Sequence, residues 1–431
     1  MTAPIHEHAP TAEHLLARRE RYAEAIDPGA TLVVIGAGEP IGVPGGADRT
    51  YPFLAHPEYY HLAEQEVPGS ILAYDRDTGW AHFAPPVTDV ERTWERVDPR
   101  SGDPLPELAG WLTSRRGRPI ANLGCPVPGI HPDPASSLLF AERALHHRRV
   151  KDEREVEAIR TAANQSAAAY AKLPKLIQPG ATERGVQIEL EAEFFRAGAS
   201  GTQYDSIVAA GSNAAVLHFA PTSRTVESGE CVLIDAGAAH GRYTSDISRV
   251  YAADGSFTDK QRAFYNTVLH AQEHAVRSCR DGVEFHDLHR QTASDMASGL
   301  VDLGLLKGDP ADLVERGAMA LFFPHGLGHL VGLGIRDASG RLPGREQRRG
   351  PGGTNIRLDV PLRSGYVVTI EPGLYFIPGL IDKDETRARF AAMVSWSAVD
   401  DMRTHIQGVR IEDDILVTSG APENLTKAIG K

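Results

Sequence analysis

The chain has 431 residues, long for one domain and enough for two at the usual ~100–200 residues each. Its formal net charge of −12 argues against a nucleic-acid partner, because phosphate contacts need clustered Lys and Arg. Hydrophobic residues make up 42%, yet no stretch approaches the roughly 20 apolar residues of a membrane helix, so no membrane partner is expected.

The opening stretch MTAPIHEHAPTAEHLLARRERYAEAI lacks the apolar core of a signal peptide. It reads as a polar lead into a helix, and the cytoplasm is the expected location. Residues 31–35 (TLVVI) predict a strand. Gly36, Gly38 and Gly42 follow it, but a dinucleotide-binding turn needs a helix to open on its glycines. Pro40, Pro44, Gly45 and Gly46 break any such helix, so a loop is expected. Residues 70–75 (SILAYD) and 80–84 (WAHFA) predict two strands joined by the turn Arg76-Asp77-Thr78-Gly79, and 118–123 (RPIANL) predict another.

At Lys151 the texture changes. KDEREVEAIRTAANQSAAAYAKL is rich in helix formers, free of Gly and Pro, and ends near Pro174. It predicts the first helix of a new domain, with a boundary near residue 148. A smaller α/β domain over 1–148 and a second domain over 149–431 are expected, together an α+β fold class. In the second, 259–280 and 285–303 predict helices, while 231–236, 244–251, 366–371 and 408–417 predict strands. Residues 340–353 (GRLPGREQRRGPGG) predict a loop of a length often found at functional sites. Cys125, Cys231 and Cys279 form no CxxC pair and no zinc spacing, so free thiols are expected.

The chemistry concentrates in the second domain. In CVLIDAGAAHGRYTSDISRVY, a two-residue turn at His240-Gly241 would put Asp235 and Asp246 directly opposite each other. Like charges so placed destabilise a hairpin unless a cation neutralises them. A different register, with one Asp toward solvent, stays open. LFFPHGLGHLVGLGIRD carries His325 and His329 among glycines that let the backbone approach a ligand closely. VVTIEPGLYF ends an apolar strand on Glu371, and GVRIEDDILVT embeds Glu412 in one. Buried carboxylates need a partner, and Arg410 could serve Glu412 as an ion pair. Asp235, Asp246, Glu371, Glu412 and His329 make an oxygen-dominated donor set that suits Mn²⁺ and can hold Co²⁺, Zn²⁺ or Fe²⁺. They are too many for one ion but suit two ions with bridging carboxylates. His270 and His274, like His286 and His289, are spaced as a helix face and are expected to face solvent.

These motifs, in this order over residues 150–420, resemble the metallopeptidase family of methionine aminopeptidase, aminopeptidase P and prolidase. AAVLHFAP, FFPHGLGHLVGL, TIEPGLYF and GVRIEDD, with the long segment between Glu371 and Glu412, look most like the prolidase branch. Residues 49–75 look like the N-terminal domain these enzymes share, which makes 1–148 a creatinase/prolidase-like domain. The resemblance implies a pita-bread catalytic domain over 149–431, a homodimer, and two divalent ions, manganese first among them. It implies that Asp235 and Asp246 bind one ion, His329 and Glu371 the other, and that Asp246 and Glu412 bridge. A hydroxide shared by the ions would attack the carbonyl before a proline, with Glu371 handling its proton. His218 would contact substrate and steady the tetrahedral intermediate, and His325 would stand near the site. Arg410 would orient the carboxylates, and Arg357 would bind the substrate's terminal carboxylate, with Arg363 a rival.

The implied activity is that of an Xaa-Pro dipeptidase acting on a small peptide. Alternatives are an aminopeptidase P cutting longer Xaa-Pro peptides, an organophosphate hydrolase at the same metals, a metal-free hydrolase, or a binding protein on the same fold. The last two are disfavoured because all five ligand residues are present. One departure matters: Arg336, followed by Asp337, stands where the family usually has a histidine. Arg336 is expected either to meet a substrate carboxylate or shape the pocket differently, or to pair with Asp337 or another acid and point away. Gln407 is a lesser departure, at a position where glycine is common.

Overall fold

The computed structural model describes residues 11–431, and the polar lead over 1–10 lies outside the described residues. The chain forms two compact units that divide between Arg148 and Arg149.

In the first unit, Thr11 Oγ1 accepts from the His14 N–H and opens helix α1 (Ala12–Ile26). Then come β1 (Leu32–Gly36), α2 (Pro57–Ala63), β2 (Ile71–Asp75), β3 (Gly79–Ala84), β4 (Asp103–Pro104), α3 (Glu107–Thr113), β5 (Ile120–Asn122) and α4 (Pro134–Arg148). The strands form a mixed sheet in the order β4-β3-β2-β1-β5, with β1 antiparallel to β2 and parallel to β5. β1 is buried on both faces, which is why TLVVI reads as an unbroken apolar run. Val33 and Ile35 pack with Tyr22, Tyr59 and Leu62, and Val34 with Ala73, Phe83 and Leu108. No helix opens on the glycines after β1. Gly36 and Gly124 instead let two backbones touch, since a Cβ on either would collide with main-chain atoms of the other segment. The three thiols are free, Cys231 and Cys279 buried and Cys125 partly exposed.

The second unit opens with α5 (Glu153–Tyr170), started by a capping box between Asp152 and Glu155. It continues through α6 (Leu173–Leu176), α7 (Glu183–Arg196), β6 (Gly201–Thr202), β7 (Ile207–Ala210), β8 (Cys231–Asp235), β9 (Ala238–His240), β10 (Tyr243–Thr244), β11 (Ser248–Ala252), α8 (Asp259–Ser278) and α9 (Phe285–Asp302). After a stretch that holds the short helix Pro310–Glu315 come β12 (Val367–Ile370) and β13 (Gly373–Tyr375), then three short helices (Pro378–Ile381, Asp384–Arg389, Trp396–Met402), then β14 (Gly408–Arg410), β15 (Asp413–Leu416) and β16 (Glu423–Asn424). Short sheets result: β10-β9-β6, β11-β8-β7, β12-β15-β16 and β13-β14. β8 is covered on both faces. Val232 and Ile234 join Tyr170, Leu190 and Phe194 on one side, and Leu233 joins Phe264, Val268 and Met296 on the other. Among the described residues no helix is long and apolar enough to cross a membrane.

Two expected strands are broken where the site residues lie. The 244–251 segment splits into β10 and β11, leaving Asp246 in the gap, and 408–417 splits into β14 and β15, leaving Glu412 in the gap. The first break is held open by α5. The Tyr170 hydroxyl donates to the Ile247 carbonyl (2.7 Å) and accepts from the Ala236 N–H (3.2 Å), while Ser166 Oγ accepts from the Ala238 N–H (2.8 Å). The Ala236 N–H also donates to the Ile247 carbonyl (3.1 Å), so the Tyr170 hydroxyl reinforces a backbone pair while Ser166 serves the Ala238 N–H. Tyr170→Phe is expected to cost about 0.5–1.5 kcal/mol, the usual net worth of an internal hydrogen bond, because the Ala236 N–H keeps the Ile247 carbonyl as its partner; the loss is read as a lower urea midpoint. An unchanged midpoint would show that the gap closes without the hydroxyl.

The hairpin register also differs from expectation. Tyr243 pairs with His240, so the turn is Gly241-Arg242, and Asp235 faces Ser248 instead of Asp246. Gly241 has φ 61° at the first central position, which a type II′ turn reserves for glycine. The shift is two residues, not one, so Asp235 and Asp246 keep the same face as diagonal neighbours.

Candidate metal centre

A cavity of about 510 Å³ in the second unit is lined by Asp235, Asp246, His329, Glu371 and Glu412, and also by His218, His325, Arg336, Arg357 and Arg410. Its floor is acidic. One donor atom each from Asp246, His329 and Glu412 lies within 4.8 Å of the others, all three residues buried. His329 Nε2 is 3.4 Å from Asp246 Oδ2 and 3.8 Å from Glu371 Oε1.

Backbone contacts place these groups. The Asp246 N–H donates to Asp414 Oδ2 (2.9 Å), and the Glu412 N–H donates to the Ser248 carbonyl (3.1 Å). His329 exchanges hydrogen bonds with Thr369: its N–H donates to Thr369 Oγ1 (3.0 Å) and its carbonyl accepts from the Thr369 N–H (2.9 Å). Gly328 makes that approach possible, because a Cβ there would collide with the Thr369 carbonyl. His329 Nδ1 donates to the Leu330 carbonyl (3.1 Å), which leaves Nε2 as the lone-pair nitrogen facing the acids.

Arg410 sits among them, and its ion pair is not the alternative one with Glu412. It donates from Nη2 to Asp235 Oδ2 (2.6 Å), from Nε to Ser248 Oγ (2.8 Å) and from Nη1 to the Tyr375 hydroxyl (2.9 Å). Its ion pair is therefore with Asp235, and the Ser248 hydroxyl in turn donates to Glu412 Oε2 (2.7 Å). Tyr375 in turn meets His325 Nε2 (3.0 Å), whose Nδ1 donates to the Gly326 carbonyl (2.9 Å). Both ring nitrogens of His325 are thus engaged. Burial, then Arg410, pushes its pKa down to about 3, so it is neutral.

The cluster carries more negative charge than its own cations balance. Burial raises the Glu371 carboxyl to about 7; His329 pulls it down and Asp246 pushes it up. Burial and then Asp246, Glu371 and Asp235 hold Glu412 well above the carboxylate range. Asp235 is raised by burial against the pull of Arg410, and its Oδ1 is buried without a hydrogen-bond partner. Burial lowers His329, but Asp246 and Glu371 outweigh it and leave the imidazole raised. Buried oxygens that repel one another, an orphaned carboxylate oxygen and an imidazole Nε2 turned toward the acids fit a hard divalent cation. The residues present fit the group.

The rim is cationic. His218, Arg336 and Arg357 are exposed at the cavity wall. Burial, then Arg357, Arg410 and Arg336, holds His218 below its ordinary pKa. The rival Arg363 is outside the cavity lining, with its guanidinium 3.5 Å from Asp281. Gln407 is outside the lining as well. His270 and His274 face solvent as expected, but His286 and His289 do not, at 8% and 1% exposure. That face of α9 meets the 319–323 turn, where the His289 ring packs 5.2 Å from Phe323.

Ser248, Tyr375, Thr369 and Asp414 escaped the sequence reading. Ser248 alone had a signal, since a Gly-first turn would have put it opposite Asp235. The others are joined to the site through contacts distant in sequence.

Comparison with known proteins agrees with the cavity's chemistry. The description of Metallopeptidase family M24 matches residues 157–419. A probable Xaa-Pro aminopeptidase of Phaeosphaeria nodorum is 30% identical over 405 residues, covering 88% of this chain and 85% of the relative. The Xaa-Pro aminopeptidase of Escherichia coli is 33% identical over 288 residues, 67% of this chain and 58% of the relative. Among solved structures, Pseudomonas aeruginosa aminopeptidase PepP superposes with a TM-score of 0.76 at 25% identity, covering 97% of this chain and 96% of that one. An Escherichia coli aminopeptidase P in complex with substrate gives 0.75 at 25% identity, covering 96% and 95%. These relatives bear the name of the aminopeptidase and not of the dipeptidase, so they favour aminopeptidase P over the prolidase branch expected from the motifs. The chain belongs to the M24 metallopeptidases, as a peptide-bond hydrolase with the pita-bread catalytic fold and a family that implies divalent metal ions.

Proposed function

We propose that this metallopeptidase is an Xaa-Pro aminopeptidase, which releases the first residue of a peptide whose second residue is proline. The observation that carries the reading is the convergence of Asp246, His329 and Glu412, with Asp235 and Glu371, on one cavity. The names of relatives aligned over most of the chain supply the substrate class. Asp235, Asp246, His329, Glu371 and Glu412 would hold two divalent ions, with manganese favoured by the oxygen-rich donors. Ions bound there supply Lewis acidity toward the scissile carbonyl.

The chain's own residues do the rest. Glu371, in the same cavity and 3.8 Å from His329 Nε2, is placed to take and return a proton. His218, at the cavity wall, is placed to donate to a developing oxyanion. Arg410 fixes Asp235 directly and Glu412 through Ser248, while Tyr375 ties His325 to the same guanidinium. Arg410 and His325 are therefore positioning residues. A cytoplasmic homodimer completes the proposal.

An Xaa-Pro dipeptidase is the second reading, favoured by Arg357 at the rim of the cavity. Mn²⁺-loaded protein assayed on Ala-Pro, Met-Pro and an Ala-Pro-Ala tripeptide separates the two. Faster turnover of the tripeptide is expected. Cleavage of the dipeptides alone would overturn the aminopeptidase reading in favour of the second.

A further inference from the structure

On the reading that this cavity takes Xaa-Pro peptides, we propose that Arg336 is a specificity-determining residue. With Arg357 it forms a two-guanidinium clamp that selects substrates carrying a carboxylate beyond the proline.

Arg336 and Arg357 lie on segments that run side by side. The Asp359 N–H donates to the Gly340 carbonyl (2.7 Å), and Arg341 bridges to Asp359 in parallel sense. Gly340 packs so close to the Arg357 carbonyl that a Cβ would collide with it. Both arginines line the same cavity as the acidic floor. Neither guanidinium has a hydrogen-bond or ion-pair partner among the described residues.

The acids that could have quenched them are taken. Asp337, next to Arg336, sits 3.0 Å from Lys151 Nζ, both side chains fully buried. Asp359, two residues from Arg357, is held by Arg348 and by Arg345 at 3.4 Å. The expected alternative, in which Arg336 pairs with Asp337, is therefore not what the chain does. Arg357 is lowered by burial and then by Arg336, so the two charges oppose each other across the rim. Two unpaired guanidiniums over a cavity are a site for an anion, and their planar forks match a carboxylate. A histidine, the residue usual here in the resembling family, would be mostly neutral at pH 7 and could not hold an anion so firmly. The carboxylate could be the free C-terminus of a short peptide or an Asp or Glu side chain after the proline.

The test compares Ala-Pro-Ala as free acid, Ala-Pro-Ala amide and Ala-Pro-Glu amide on wild type, Arg336→Ala and Arg336→His, all Mn²⁺-loaded. Calorimetric binding of the same peptides is read alongside. Wild type should prefer the free acid to its amide by roughly tenfold or more in kcat/KM, the worth of one charge-assisted hydrogen bond, chiefly through KM. Arg336→Ala should erase most of that ratio and Arg336→His much of it. Recovery with Ala-Pro-Glu amide assigns the side chain as a source, and recovery with the free acid alone assigns the C-terminus. Equal handling of acid and amide by wild type, or an unchanged ratio in Arg336→Ala, would overturn the clamp. Tighter binding of the acid that Arg336→Ala abolishes upholds the clamp even if no Xaa-Pro bond is cut, so its failure is separable from that of the peptidase reading.

Discussion

Glu412→Gln is expected to abolish peptidase activity and the stabilisation by divalent metal, while leaving the metal-free protein almost as stable as wild type. Glu412 is buried among Asp246, Glu371 and Asp235, which hold its carboxyl well above the usual range. Glutamine keeps the shape of the side chain and removes a charge that burial and then the neighbouring acids oppose. The amide oxygen can still accept from Ser248 Oγ, as Glu412 Oε2 does at 2.7 Å. With metal, the balance changes. A ligand at a thousandfold excess over its Kd stabilises the native state by about 4 kcal/mol. Wild type should gain a rise of that order in unfolding free energy on adding Mn²⁺, and Glu412→Gln should gain little. Loss of affinity should exceed the roughly 10–100-fold typical of changing a neighbour of a ligand. Thermal denaturation with and without Mn²⁺ reads both effects. A full metal-induced shift in the variant would remove Glu412 from the metal site.

Arg410→Ala should have the largest effect on the metal-free protein. Its guanidinium neutralises Asp235 at 2.6 Å and also holds Ser248 and Tyr375. Removing one partner of a buried ion pair typically costs about 3–5 kcal/mol, because the other charge stays behind uncompensated. Asp235 also has a second oxygen without a hydrogen-bond partner among the described residues. Bound cations would supply the missing positive charge, so the destabilisation should shrink when Mn²⁺ is present. Urea unfolding in the two conditions measures the difference. An equal loss with and without metal would mean that Asp235 does not share the ions' site.

The elements were legible where the pattern was local. TLVVI announced β1 because a strand buried on both faces is apolar throughout, and the change of texture at Lys151 announced α5 because its capping box and helix formers are contiguous. The gaps at Asp246 and Glu412 were not legible. Apolar alternation runs through both, and the groups that hold the first open, Tyr170 and Ser166, lie on a helix far away in sequence. The acids could still be paired from a wrong register because an error of two residues keeps side chains on the same face. His289 was misread because helical spacing cannot say what lies over a face, and here Phe323 does. The state of Arg336 was open for the same reason. Lys151, which takes Asp337 away from it, belongs to the other end of the domain.

Asp235, Asp246, His329, Glu371 and Glu412 are proposed to form one metal-dependent peptidase site. Titrating metal-free protein with Mn²⁺, with bound metal and Ala-Pro-Ala hydrolysis measured on the same samples, tests it most directly. Two ions per chain are expected, with activity absent before metal and rising with occupancy. Hydrolysis at full rate in metal-free protein, or no bound metal at saturating Mn²⁺, would contradict it.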